Sequence, residues 1–242
     1  MTSTAQTAGR RAADPLARDA AMVERVYVWD ALVRTTHWAI ALSIFVLSFT
    51  GLYIGRPFLI VDPLGGRFVM GTVKAVHSWT AIVFALAVLA RIAWMFLGPG
   101  YARWSHFFPA SRERWRGVWE TFRFYLFVRR DEPGYTGHNP LAGLAYIAVF
   151  GLYLLEIATG LGMYALSADV GSWPRAFAFL VPLLGGTQTA RWLHHVGMWL
   201  LLGFFAHHLF SALLMARVER NGTMESIFSG YKFVHRAARP KR

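Results

Sequence analysis

Four of the chain's nine histidines stand in residues 193–209, LHHVGMWLLLGFFAHHL, as two pairs flanking an apolar run. Imidazole is costly to place in hydrocarbon unless a partner compensates it, so histidines in such a run are candidate ligands or relays. An α-helix turns about 100° and rises about 1.5 Å per residue, so His194 and His208 point within about 40° of each other and stand about 21 Å apart along the axis. The other pairings diverge by about 120–140°. One histidine from each pair thus shares a face, at two depths. His195 and His207 point off that face, to be hydrogen-bonded or to line a partner interface.

The elements that carry these side chains follow from composition. The chain has 242 residues, 55% hydrophobic, 16% aromatic and only 16% charged, which is too apolar for an ordinary water-soluble domain. Residues 35–55, 75–90 and 192–216 contain no Lys, Arg, Asp or Glu, and residues 133–168 contain only Glu156. Each supplies the roughly 20 residues of a helical membrane span, the second by extending past Lys74 or Arg91. The first run is too long and begins too late for a cleavable signal, so four spans are expected. Of the 25 Lys and Arg, five precede the first span, eight lie in residues 91–130 and seven lie from Arg217 onward, leaving five for the other two loops. Basic residues accumulate on the cytoplasmic side, which predicts cytoplasmic termini and a cytoplasmic middle loop. That distribution accounts for the net charge of +12 without nucleic acid. The absence of cysteine excludes disulfides, thiolate-ligated iron–sulfur clusters and C-x-x-C-H haem attachment.

The expected organisation is all-α: a polar, mobile cytoplasmic tail over residues 1–25, a four-span bundle over 26–233 and a basic tail over 234–242. In the middle loop, Trp115, Trp119, Phe122 and Leu126 recur at helical spacing opposite Arg112, Arg116, Arg123 and Arg130, which suits a helix lying on the cytoplasmic face. A helical loop packed on the bundle explains the same pattern. The loop between spans three and four is expected to carry a short helix.

With that orientation, His77 and His194 fall at one outer depth and His37 and His208 at one inner depth. Two imidazoles on facing helices hold a haem iron in a bundle core, so two pairs read as a stack of two haems. A zinc site would want its ligands converging at one depth, and a lone intramembrane histidine more often bonds another helix. Lys74 and Arg191 are placed for the propionates of an outer haem, and Arg34 and Arg91 for an inner one; membrane anchoring explains each equally. Gly51, Gly160, Gly197 and Gly203 leave room for a porphyrin or a close helix. His138 and Asn139, in YTGHNPLAG, form a polar cluster at the inner mouth that could meet a quinone carbonyl, or Asn139 could simply cap the helix that Pro140 begins.

VYVWDALVRTTHW, TGLYIG, KAVHSW, ARIAW, GHNPLA, TGLGMY, LHHVGMWL and SGYKF resemble the b-type cytochrome subunit of membrane-bound [NiFe] hydrogenases, a dihaem cytochrome b561-like family, over about residues 26–233. The resemblance implies two b haems on His37, His77, His194 and His208. It also implies electrons arriving from the hydrogenase small subunit, and through it the large subunit, at the outer face. It implies further that the quinone pool accepts them at a cytoplasmic mouth, for which related quinone-reducing subunits suggest His138 and Asn139. Hydrogen splitting belongs to that partner, since a chain without cysteine cannot hold a thiolate-bound nickel–iron centre. Two positions depart from the family pattern: Thr36, where Trp is usual, and Glu156, where an apolar residue is usual. Trp173, Phe177 and Phe179, rimmed by Arg175 and Arg191, could supply outer docking anchors, and shielding the top of the bundle explains them equally. The rival readings are the same scaffold serving a formate or thiosulfate enzyme, a stand-alone superoxide-to-quinone oxidoreductase, and a structural anchor.

Overall fold

The computed structural model describes residues 23–57, 69–129 and 139–235. Among these the chain forms β1 (Val23–Tyr27), α1 (Ala31–Gly55), α2 (Val69–Leu97), α3 (Arg112–Tyr125), α4 (Pro140–Ser167), α5 (Leu180–Leu183), α6 (Thr187–Glu219), α7 (Ser226–Ser229) and β2 (Tyr231–His235). Helices α1, α2, α4 and α6 are long and apolar enough to cross a membrane, which is the predicted number of spans. Their starts carry local signals. Asp30 caps α1 by accepting from Val33 N at 2.9 Å, and Asn139 caps α4 from Ala142 N at 2.7 Å with Pro140 in the first turn.

Helix α1 packs along α2, and α4 along α6. The two hairpins meet through Ile40, Phe84, Val88, Val149, Tyr153 and Leu201, with Phe84 set edge-on to Tyr153 at 5.3 Å. The opposite faces are apolar too: Leu42, Phe45 and Phe49 of α1, Leu86 and Leu89 of α2, and Trp199 and Leu200 of α6 are exposed. Helices apolar on every side satisfy their own backbone and present hydrocarbon to hydrocarbon, as a membrane bundle requires.

The all-α expectation needs one addition, the antiparallel pair β1–β2. The sheet begins at Val23 and ends at His235, so it crosses both boundaries, 26 and 233, drawn from composition. Alternation puts Arg25, Tyr27, Tyr231 and Phe233 on one face. There Tyr27 meets Tyr231 at 5.0 Å and the Arg25 guanidinium lies 3.7 Å over the Tyr231 ring. Gly230, at φ +87°, turns α7 into β2; a Cβ there would strike Tyr27 and the Trp29 carbonyl, so only glycine fits. The sheet is clamped to the bundle by Trp29 Nε1 donating to Ser226 Oγ at 3.1 Å, Trp94 Nε1 donating to Asp30 Oδ2 at 2.8 Å, and Arg34 donating to the Phe228 carbonyl. We call this the sheet end of the bundle and the other the far end.

Helix α3 forms where predicted, capped by Ser111. It buries Gly117, Thr121 and Phe124, while Trp115, Trp119 and Phe122 remain exposed. One face of the helix packs on α4, as a loop packed on the bundle would, and the aromatic stripe faces outward. Between α4 and α6, the short helical elements are a 3-10 turn at Trp173–Phe177 followed by α5.

Candidate functional site: two histidine pairs at two depths

His37 of α1 meets His208 of α6 at the sheet end, with ring centroids 6.2 Å apart. His77 of α2 meets His194 of α6 at the far end, with centroids 6.4 Å apart. These are the two pairings that helix spacing selected. Two imidazoles bound through nitrogen on opposite sides of one first-row metal at about 2.0–2.1 Å, with about 1.1 Å from nitrogen to ring centre, have centroids about 6.3 Å apart. Among the described residues, no group of three or more His, Cys, Asp and Glu is arranged to hold a metal ion, and the four histidines sit as separate pairs.

Hydrogen bonds set the tautomers at the far end. Thr50 donates its hydroxyl proton to the Val46 carbonyl at 2.7 Å, so its oxygen accepts at 2.8 Å from His77 Nδ1–H. Thr159 repeats the arrangement: its proton goes to Leu155 O at 2.7 Å, and its oxygen accepts at 2.9 Å from His194 Nδ1–H. With Nδ1 protonated in both rings, Nε2 carries the lone pair a metal needs. The residue after each threonine is glycine. A Cβ at Gly51 would lie 3.4 Å from His77 Cε1, and one at Gly160 would lie 3.2 Å from His194 Cε1. The triplet Thr-Gly-Leu thus recurs in α1 and α4, its hydroxyl orienting a ring and its missing side chain making room for that ring. Spacing alone passed over these threonines; the repeated triplet was the signal available. Of the other two glycines expected to give room, Gly197 faces Glu156, and Gly203 has nothing within 4 Å of where its Cβ would be.

The sheet-end pair is held differently. His208 stacks on Phe204 at 5.6 Å and meets Tyr146 edge-on at 6.5 Å, whereas His37 Nδ1 is buried without a hydrogen-bond partner. Arg34 lies one turn before His37, Lys74 one turn before His77, and Arg191 one turn before His194, each on its histidine's side of the helix. Lys74 and Arg191 are exposed. Arg91 is buried, with its Nη1 unpartnered, and Arg34 has its Nε buried and unpartnered. Thr36, at the first family departure, is buried and bonds back to the Leu32 and Val33 carbonyls.

Both off-face histidines are hydrogen-bonded, as expected. His195 Nδ1 donates to Arg191 O at 2.8 Å, and His207 Nε2 is 3.4 Å from Ser211 Oγ. His207 also lines a cavity of about 70 Å³ with Tyr125, Leu141, Ala142, Tyr146 and the ligand candidate His208. Asn139 spends its oxygen on the α4 cap; His138 lies outside the described residues. At the far end, Trp173 and Phe179 are exposed, but Arg175 donates to Ala165 O at 3.3 Å and Leu166 O at 2.9 Å, closing the end of α4.

A family model described as prokaryotic cytochrome b561 matches residues 28–230. The chain belongs to this family. Among its relatives, a protein of Cupriavidus necator named "Probable Ni/Fe-hydrogenase B-type cytochrome subunit" is 35% identical over 214 residues, covering 87% of this chain and 88% of that protein. One of Azotobacter vinelandii with the same name is 34% identical, covering 86% and 88%. One of Escherichia coli K12, named "Probable Ni/Fe-hydrogenase 1 B-type cytochrome subunit", is 31% identical, covering 85% and 90%. A b-type cytochrome carries haem b, and the residues present fit that group. The ring separations suit iron ligated on both sides, the far-end tautomers expose Nε2, and buried guanidinium nitrogens without partners suit propionates.

Proposed function

We propose that this b561-family cytochrome holds two b haems, one on His77 and His194 and one on His37 and His208, and carries electrons from a [NiFe] hydrogenase to the quinone pool. The observation that carries this reading is the pairing itself: two imidazole pairs at iron-ligating separation, stacked at two depths of an apolar bundle. The names of the relatives point to the partner. When bound, each haem supplies a one-electron couple. The chain's own residues supply the rest: Thr50 and Thr159 fix ring orientation, and Arg34 and Arg91, with Lys74 and Arg191 at the far end, offer cations to propionates. The sheet end faces the cytoplasm of a bacterial inner membrane, because the basic residues accumulate there. The four-span unit, with the sheet that joins its two ends, covers residues 23–235. Quinone meets the chain at the sheet end, where the cavity beside His208 offers Tyr125 and His207, and Asn139 lies at the adjoining helix start.

Exposed Trp173 and Phe179 at the far end are the apolar anchors for the hydrogenase small subunit. The double variant Trp173→Ala, Phe179→Ala is expected to reduce recovery of hydrogenase with the tagged chain at least fivefold while haem content stays constant. Affinity purification of the wild-type chain with identification of its partners tests the assignment. Recovery of a formate or thiosulfate enzyme's iron–sulfur subunit in place of hydrogenase would reassign the scaffold. His195→Ala is expected to retain full haem content, since that ring bonds its own helix and faces Gly55.

A further inference from the structure

Glu156 is a carboxylate at hydrocarbon depth in α4, where such a group persists only with a partner. Its side chain is 11% exposed, and its Oε2 lies 2.9 Å from His194 Nδ1. That nitrogen carries a proton, because Thr159 has already given its own to Leu155 O and accepts from the same Nδ1. The Nδ1–H is therefore shared between Thr159 and Glu156. The other carboxylate oxygen, Oε1, is buried without a hydrogen-bond partner, against the α-carbon of Gly197. A Cβ at position 197 would overlap that oxygen, so the glycine of α6 forms the notch that admits the carboxylate. At the sheet end, by contrast, His37 Nδ1 has no hydrogen-bond partner among the described residues.

We propose that Glu156, seated in the Gly197 notch, lowers the reduction potential of the far-end haem below that of the sheet-end haem, so that electrons run downhill from far end to sheet end. The inference rests on the proposed ligation of haem by His77 and His194. A carboxylate accepting Nδ1–H makes the imidazole a stronger donor to the metal through Nε2, which favours the oxidised iron. A buried negative charge, poorly screened in low dielectric, acts in the same sense. Glu156 works through His194 and is a positioning residue. An apolar side chain at 156 would leave Thr159 as the sole acceptor of that proton and remove the carboxylate's share of the difference between the two couples.

Redox titration of the purified complex, followed optically and with the far-end couple assigned by its loss in His77→Ala, tests this. Glu156→Gln is expected to keep two haems per chain and to shift the far-end equilibrium about tenfold toward the reduced form, 59 mV for a one-electron couple. The sheet-end couple should stay in place. Gly197→Ala, which keeps the acid but displaces it, is expected to shift the same couple in the same direction, and it reads the proposal whether or not Glu156→Gln retains its haem. Unchanged potentials in haem-replete Gly197→Ala and Glu156→Gln, or equal shifts of both couples, would overturn the proposal. Retention of two haems by His77→Ala would instead overturn the ligation on which it rests.

Discussion

His194→Ala is expected to bring haem content down from two per chain to one, with the sheet-end signal preserved. The ring of His194 meets His77 at 6.4 Å across the helix interface, and no other histidine among the described residues stands at that depth on the facing side. His195 cannot substitute, because it is turned about 100° away and spends Nδ1 on the Arg191 carbonyl. The sheet-end pair lies about 21 Å along α6 and uses different partners. Bundle packing through Val88, Val149 and Leu201 lies between the two and does not depend on His194. His77→Ala should give the same loss, and His37→Ala or His208→Ala the converse. Extraction and spectroscopic quantitation of haem against protein measures this directly. Two haems retained in His194→Ala would remove it from the ligand set.

The second large effect is steric. Gly160→Leu is expected to lower far-end haem occupancy by at least half while the protein still accumulates in the membrane. A Cβ at 160 would already lie 3.2 Å from His194 Cε1, and that ring cannot retreat freely because Thr159 and Glu156 hold its Nδ1. Overpacking a built interface costs about 1–3 kcal/mol, and the strain is relieved most directly by swinging the imidazole out of line. Gly151→Ala is the control: it lies in the same helix with nothing within 4 Å of its Cβ position, and should keep full haem content. The same measurement decides the matter, and equal haem content in Gly160→Leu and Gly151→Ala would show that the glycine is there for helix packing alone.

Much of this arrangement was legible in the sequence because membrane spans obey simple rules. Uncharged runs of sufficient length gave four helices, and their alternating direction fixed the depth of each histidine, so the pairs His37–His208 and His77–His194 followed from rise per residue. The sheet was not legible. VERVY and YKFVH are short strands more than 200 residues apart, and their pairing depends on where the ends of α1 and α6 arrive, which no local pattern records. The contact of Glu156 with His194 was likewise hidden. The partner of Glu156 depends on the rotation of α4 against α6 and on the notch at Gly197. Asn139 carried two meanings in sequence, cap and quinone donor. The hydrogen bond to Ala142 N accounts for its oxygen and leaves its NH2 for the second.

The central claim is tested most directly by following haem absorbance in the purified complex of this chain with its hydrogenase, under hydrogen and then on adding quinone. Hydrogen is expected to reduce both b haems, and quinone to reoxidise both. Haems that are reduced by dithionite but stay oxidised under hydrogen, in a complex whose hydrogenase is active toward an artificial acceptor, would contradict it.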